Sequence, residues 1–468
     1  MSLRPVLPGA IWFLGNGSQE QRQERAPSAA VQYAMREICM TSKLRSLPHA
    51  AVAVLLLIVA AAGSARAADT IKVGILHSLT GTMAISETIL KNLMLWQIAE
   101  LNAHGGLLGK KVEPVVVDPA SNWPLFAEKA RQLLTVDKVA AVFGCWTSVS
   151  RKSVLPVFEE LNGLLFYPLE YEGEEASYNV FYGGSVPSNK AIPAIEYLMS
   201  PDGGSVKRWV LEGTDYVYPR TSNKIIRAFL VAKGVADTDI LENYTPFAFS
   251  DWQTEVGRIK KFGSAGKKTA VISTINGDAN VPFYKELANE GVKATDIPVI
   301  AFSVGEEELA GLDTKNLVGH LAAWAYFQSV DTPENQAFIA AWHKYIGNPK
   351  AVTTDPMQAE YLLFHMWVHA VEQAGTTDVD AVRQAMIGQQ MKDFAGFTEV
   401  MQPSHHLTKP LMIGEIQPDG QFAIVYQSKT VLEPQPWNPY LPADKGKVAN
   451  WDYPWVCGNC TEPKEKDF

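Results

Sequence analysis

Beyond residue 70, short apolar runs alternate with segments of helical period, and few folds accommodate that pattern. Ile71 to Leu76, Val112 to Val117 and Val139 to Phe143 read as strands buried on both faces of a parallel sheet. Helices are expected between them over about 86–104, which ends at Gly105-Gly106, and about 124–134. The stretch VAAVFGCWTSVSRKSVLPVFEELNGLLFYPLEY, residues 139–171, is the most informative. Gly144 breaks its first strand, a helix carrying Val154, Leu155, Phe158 and Leu161 follows, and a second apolar run spans Leu164 to Tyr167. Two neighbouring strands thus deliver Trp146, Thr147, Ser148, Tyr167, Glu170 and Tyr171 to one rim. In open α/β sheets that rim is where ligands bind.

The alternation restarts after Val186-Pro187-Ser188, which reads as a linker. Helix 189–199 leads to a strand over 208–211 and the turn Gly213-Thr214-Asp215-Tyr216-Val217-Tyr218-Pro219-Arg220, with Pro219 suited to a first helical turn. Strands at 240–244, 269–273 and 298–302 alternate with helices near 252–262 and 281–290. A second crossing falls near 323–329, followed by helices near 333–345, 355–374 and 378–388 and strands near 397–400, 411–416 and 421–426. The fold class is therefore α/β, with two doubly wound parallel-sheet lobes. One lobe is assigned 69–187 with about 327–395, the other 188–326 with about 396–430, and 431–468 reads as an extended tail.

A chain of 468 residues exceeds one ordinary core. Its net charge of −9 argues against a nucleic-acid partner. Residues 1–67 read as a leader: Lys43 and Arg45 precede the apolar run 50–62, and Ala65-Arg66-Ala67 offers a peptidase site, so the signal peptide is placed at about 40–67. Residues 1–39 lack pattern, and Met40 is the better start, with Met35 as the alternative. The expected location is the periplasm. Cys457 and Cys460 are spaced for a tight disulfide in an oxidising compartment, with a redox site or half a zinc site as rival readings.

The segments SLTGTMAISE (78–87), FGCWTSVSRKSVLPVFE (143–159), FYPLEYEGEE (166–175), GTDYVYPR (213–220), ISTINGDAN (272–280) and DPMQAEYLLFHMW (355–367) carry a resemblance. The chain resembles the periplasmic ligand-binding proteins of the branched-chain amino acid and amide superfamily, and within it the urea-binding components of urea ABC transporters. The resemblance implies a type I periplasmic binding protein: two lobes, a three-crossing hinge, and a cleft that closes on a small ligand delivered to an inner-membrane permease. It also implies ligand contacts from Trp146, Ser148, Tyr167, Tyr216 and Tyr218. A monomer without cofactor or metal is expected.

Urea is planar and neutral, with four N–H donors and one carbonyl acceptor, and each unpaired polar group buried with it costs about 1–3 kcal/mol. Glu170 offers two acceptor oxygens in one plane, Asp278 could take the opposite edge, and the Thr147 and Ser148 hydroxyls could donate to the carbonyl. Trp146 and Tyr218 could cover the flat faces. Each has a plainer reading: Trp146 as core filler, Glu170 as a loop carboxylate, Asp278 as turn chemistry, and Ser78 and Ser86 as caps. Receptors for short-chain amides or branched-chain amino acids are the alternatives, although Trp146 would crowd a leucine side chain and Glu170 would repel its carboxylate. An amide- or urea-hydrolysing enzyme is disfavoured. His365 and His369 sit four apart among packing residues, His405-His406 lacks nearby carboxylates, and Gly105-Gly106-Leu107-Leu108-Gly109-Lys110 follows a helix rather than a strand.

Overall fold

The computed structural model describes residues 70–449 apart from 311, so the leader and the Cys457/Cys460 pair lie outside the described residues. The first lobe is built from β1 (Ile71–Leu76), α1 (Ala84–Ala103), β2 (Val112–Val117), α2 (Trp123–Gln132), β3 (Ala141–Gly144), α3 (Ser148–Leu161), β4 (Leu165–Tyr167) and β5 (Val180–Tyr182). The second contributes α4 (Ala191–Met199), β6 (Arg208–Thr214), α5 (Val217–Ala232), β7 (Ile240–Thr245), α6 (Gln253–Gly263), β8 (Thr269–Thr274), α7 (Asn280–Asn289), β9 (Val299–Ala301), α8 (Glu306–Leu309) and β10 (Leu321–Trp324). The chain then returns to the first lobe with α9 (Pro333–Ile346), α10 (Asp355–Ala374), α11 (Val379–Met386), β11 (Gln390–Lys392) and β12 (Thr398–Val400). It ends in the second with β13 (Met412–Ile416) and β14 (Phe422–Gln427).

The first sheet is parallel throughout in the order β2-β1-β3-β4-β5. The second runs β14-β13-β10-β9-β8-β6-β7, with β13 antiparallel to both its neighbours, β10 and β14. In each sheet the strand order reverses beside its first strand, between β1 and β3 and between β6 and β8. Those reversals open a crevice at the strands' carboxyl ends.

A ladder of rings ties the first sheet to α10. Phe143 stacks on Phe166 at 4.7 Å and Phe166 on Phe181 at 5.2 Å, while Phe364 and Trp367 meet Phe143 edge-on. Pro356 in the first turn and left-handed Gly375 beyond the last fix the ends of α10. One segment departs from the boundary read in the sequence. Residues 396–409 stay with the first lobe: β12 pairs with β11, and Met401 and Leu407 are buried in the core formed by Phe143, Leu363 and Trp367. The third crossing therefore follows Leu407, where a run too polar for an apolar-strand reading, Gln390–Lys392, supplies the hairpin partner.

The chain after β14 lies across both lobes. The Glu174 carboxylate accepts from the Asn438 amide at 2.8 Å and its carbonyl from the Ala449 amide at 2.8 Å. Asp444 pairs with Lys224 of α5 at 2.6 Å, and Tyr440 packs on Phe229.

Gly184 positions the loop after β4. A Cβ there would fall 1.9 Å from the Leu169 carbonyl carbon and 2.2 Å from the Glu170 amide, both backbone atoms that cannot move aside cheaply. Gly184→Ala should therefore cost about 1–3 kcal/mol of stability. Gly257→Ala, in α6 with nothing within 4 Å, should instead gain up to about 1 kcal/mol. Thermal melts of the two variants check the contrast; equal melting points would contradict it.

Candidate functional site: the junction of the two lobes

At the end of β3, Cys145 adopts a left-handed conformation (φ 66°), turning the chain so that Thr147 caps α3. Thr147 Oγ1 accepts from the Ser150 amide at 3.1 Å and bonds the Ser150 hydroxyl at 3.0 Å. Ser148 donates to Glu172 at 2.5 Å. Both hydroxyls are thus committed within the first lobe, where the sequence suggested donors for a ligand carbonyl. Tyr167 donates to the Trp146 carbonyl at 2.6 Å, fixing the main chain on which the indole is carried.

Glu170 is 8% exposed and reaches the second lobe. Its Oε1 accepts from the Ser303 hydroxyl at 3.1 Å and lies 3.6 Å from Lys190 Nζ. Its Oε2 is buried without a hydrogen-bond partner. Burial pushes the carboxyl up to about 7, against the pull of Lys190 and with the push of Asp355. Lys190 in turn donates to the Phe302 carbonyl at 2.6 Å and lies 3.6 Å from the centroid of the Trp324 ring. Tyr216 and Tyr218 are both buried at the start of α5, 6.2 Å apart, with Tyr216 packed on Phe247. Burial raises both phenols far above their ordinary range, and the Glu170 carboxylate adds to it.

The structure does not bring Asp278 to this cluster. It is solvent-exposed in the short turn Gly277–Ala279, whose glycine packs against Thr82 and Met83 instead. Asparagine–glycine–aspartate forms a short turn here. Of the residues that do join Glu170, Lys190 and Ser303 lie outside the segments that carry the resemblance, and Asp355 opens one of them without having been singled out. Lys190 read as part of the helix 189–199 just after the linker, and Ser303 and Asp355 sit where any polar residue follows a strand or opens a helix.

Beside the cluster, a cavity of about 10 Å³ is lined from both lobes, by Ser86, Ile89 and Trp146 on one side and Gly305, Glu307 and Glu308 on the other. Trp324 and Thr354 to Pro356 complete its wall. That volume admits about one water. The Ser86 hydroxyl, read as a possible cap, instead donates across the junction to Glu308 at 2.7 Å. Glu308 also accepts from the Gly305 amide at 2.9 Å. Burial raises Glu306 to about 8 and Glu307 to about 7.

Two charged networks support the first-lobe rim. Arg151 bonds Glu175 at 2.8 Å and reaches Glu172 at 3.4 Å, its guanidinium stacked over Tyr171 and Tyr167 at 4.2 and 4.6 Å. His77 bridges Glu360 at 3.0 Å and Glu87 at 3.5 Å. Burial opposes the imidazolium, but Glu360 and Glu87 raise His77 to about 9. The buried Cys145 thiol is pushed up by burial, and Ser148 is held between Glu172 and Arg151. His365 bonds Gln97 and packs on Tyr361. Among the described residues no group of three His, Cys, Asp or Glu side chains could hold a metal ion, and no helix is long and apolar enough to cross a membrane. A wider aromatic groove of about 1150 Å³ lies on the first lobe between α1, α9 and α10, away from the junction.

Two lobes, a crevice at their switch points and a carboxylate buried between them define a solute-binding fold. The family described as "Periplasmic binding protein domain" matches residues 71–443, and the chain belongs to it. Among its relatives is the Leu/Ile/Val-binding protein homolog 6 of Brucella melitensis, 24% identical over 371 residues, 76% of this chain and 90% of the relative. Among solved structures, the solute-binding protein of an ABC transporter from Rhodopseudomonas palustris in complex with p-hydroxybenzoic acid aligns with a TM-score of 0.67 and 21% identity. That alignment covers 79% of this chain and 99% of the other. A leucine-binding protein from Thermotoga maritima aligns with a TM-score of 0.63 and 16% identity, covering 78% and 99%. The fold is the type I periplasmic binding fold.

Glu175 yields a pH prediction. Burial raises its pKa, but Arg151 and Lys152 outweigh this and hold it well below its ordinary 4.5. A depressed carboxyl stabilises the fold above its unfolded pKa, and that contribution is lost as pH falls below it. Arg151→Met should cost about 3–5 kcal/mol at neutral pH. It should also flatten the loss of stability between pH 5 and pH 3, roughly the range below the ordinary carboxyl pKa. Denaturant titrations across that range, with an unchanged acid limb as the contrary result, test it.

Proposed function

We propose that the protein is the exported receptor of an ABC importer, binding urea between its lobes without chemical change and passing it to an inner-membrane permease. The observation that carries this reading is the orphaned Glu170 Oε2, a buried acceptor at the lobe junction with no donor from the protein. Urea is rich in donors and carries no charge for the surrounding carboxylates to attract or repel. Trp146 and Trp324 flank the adjoining cavity and supply flat walls for a planar ligand. With four heavy atoms and a ceiling near −1.5 kcal/mol per atom, urea could gain about −6 kcal/mol, a dissociation constant of tens of micromolar. The family membership supports the receptor class; the choice of urea rests on the donor–acceptor balance and on the resemblance of the Trp146, Tyr167 and Tyr218 segments to urea receptors.

A branched-chain amino acid is the second reading. The relatives' names favour it, and Lys190 beside Glu170 and Asp355 offers both signs of charge to a zwitterion. Calorimetry with urea, acetamide, formamide and leucine separates the two: urea should bind and leucine should not, and the reverse would overturn the reading. Glu170→Ala should weaken urea binding by at least about tenfold, with little change in the melting point of the empty protein.

Affinity should also follow pH. Ligand N–H groups need the ionised carboxylate, and Glu170 titrates at about 7. Urea should therefore bind about tenfold or more weakly at pH 5.5 than at pH 8, where urea itself does not titrate. A flat profile in the wild type would remove Glu170 from the contact.

A further inference from the structure

The first crossing of the hinge brings a lysine to the junction. Lys190 is 3% exposed and is the cation nearest Glu170, whose Oε1 lies 3.6 Å from its Nζ. Its charge is aimed, not mobile: Nζ donates to the Phe302 carbonyl at 2.6 Å and rests on the Trp324 face at 3.6 Å. Trp324 is itself fixed, its Nε1 donating to the Val304 carbonyl at 2.7 Å, and with Asp355 it lines the small interlobe cavity. Asp355 is held by the Ala325 amide at 2.9 Å. A ligand seated against Glu170 therefore meets a carboxylate already partnered by an ammonium.

We propose that Lys190 is the charge selector of the cleft: by neutralising Glu170 it makes the site accept an uncharged planar ligand and reject a planar cation of the same shape. The inference deepens the urea reading and rests on it for the shape of the ligand. Guanidinium is the diagnostic probe, because it keeps urea's plane and its donors but has a third amino group in place of the carbonyl oxygen and a positive charge spread over the whole ion. With Lys190 present, guanidinium would place a second cation a few ångströms from the first, against a low-dielectric wall. That repulsion should hold its affinity at least about a hundredfold below that of urea. Without Lys190, the Glu170 carboxylate would lose the cation that pairs with it, and guanidinium would supply one.

The test is calorimetry of the full exported chain at constant ionic strength and pH 8, with urea and guanidinium chloride as titrants. Wild-type protein should prefer urea, whereas Lys190→Met should shift the ratio of affinities toward guanidinium by at least about a hundredfold. An unchanged ratio in Lys190→Met would overturn the proposal and leave Lys190 a structural residue. Should Lys190→Met fail to melt cooperatively, Glu170→Gln carries the test from the other side. It leaves the Lys190 charge unpartnered, so formate, a planar anion, should bind at least about tenfold better than to wild type. No gain of formate would overturn the proposal equally. If wild-type protein ignores urea while Lys190→Met gains guanidinium, the urea reading fails and the charge selection stands.

Discussion

Burying a carboxylate where two bodies meet is costly unless the interface supplies donors, and Glu170 is buried there with one oxygen satisfied. Much of the surrounding structure serves to hold it in that position. Gly184 lets the loop after β4 press against the first crossing, where the Tyr171 amide donates to the Ser185 carbonyl at 3.0 Å. Lys190 from the same crossing and Ser303 from the second lobe then meet the carboxylate. The hinge is thus also part of the site.

The first lobe carries two buried charged networks beside this arrangement. Arg151 and its carboxylates lock α3 to the loop that carries Glu170, and the His77 bridge locks β1 to α1 and α10. Neither network has solvent access, so each is worth most when complete and costs most when one member is removed. The terminal strap adds a tie of another kind, joining Glu174 of that loop to α5 of the second lobe through Asn438 and Asp444. Glu174 sits four residues from Glu170 in the same loop.

The strands of both sheets were legible because fully buried parallel strands leave apolar runs, and the ends of α10 because Pro356 and Gly375 mark them. The β11–β12 hairpin was not, since Gln390 and Lys392 are exposed and carry no apolar pattern. Of the candidate site, Glu170, Trp146, Tyr216 and Tyr218 could be read from segments that resemble a family, and all four are buried near the junction. Asp278 could not be told from ordinary turn chemistry, and it is exposed. Lys190 was invisible for a different reason: a lysine after a linker is usually solvated, and only the three-dimensional return of the chain places it over Trp324.

Closure itself has an electrostatic cost that connects these features. Glu306, Glu307 and Glu308 of α8 lie beside the junction as Glu170 does, and burial raises all four. Ser86, Ser303 and the backbone amides of Gly305 and Gln328 offset part of that cost, with Gln328 donating to Glu306 at 2.7 Å. Lys190 is the cation at Glu170 itself. The remainder falls on whatever occupies the cleft, so a ligand that brings donors lowers the free energy of the closed form more than that of the open one. Differential stabilisation of this kind is what a ligand needs to shift a hinge equilibrium. An acceptor-rich junction is therefore a means of making closure depend on a donor-rich guest, and it explains why a receptor would keep an unsatisfied carboxylate oxygen at the contact between its halves.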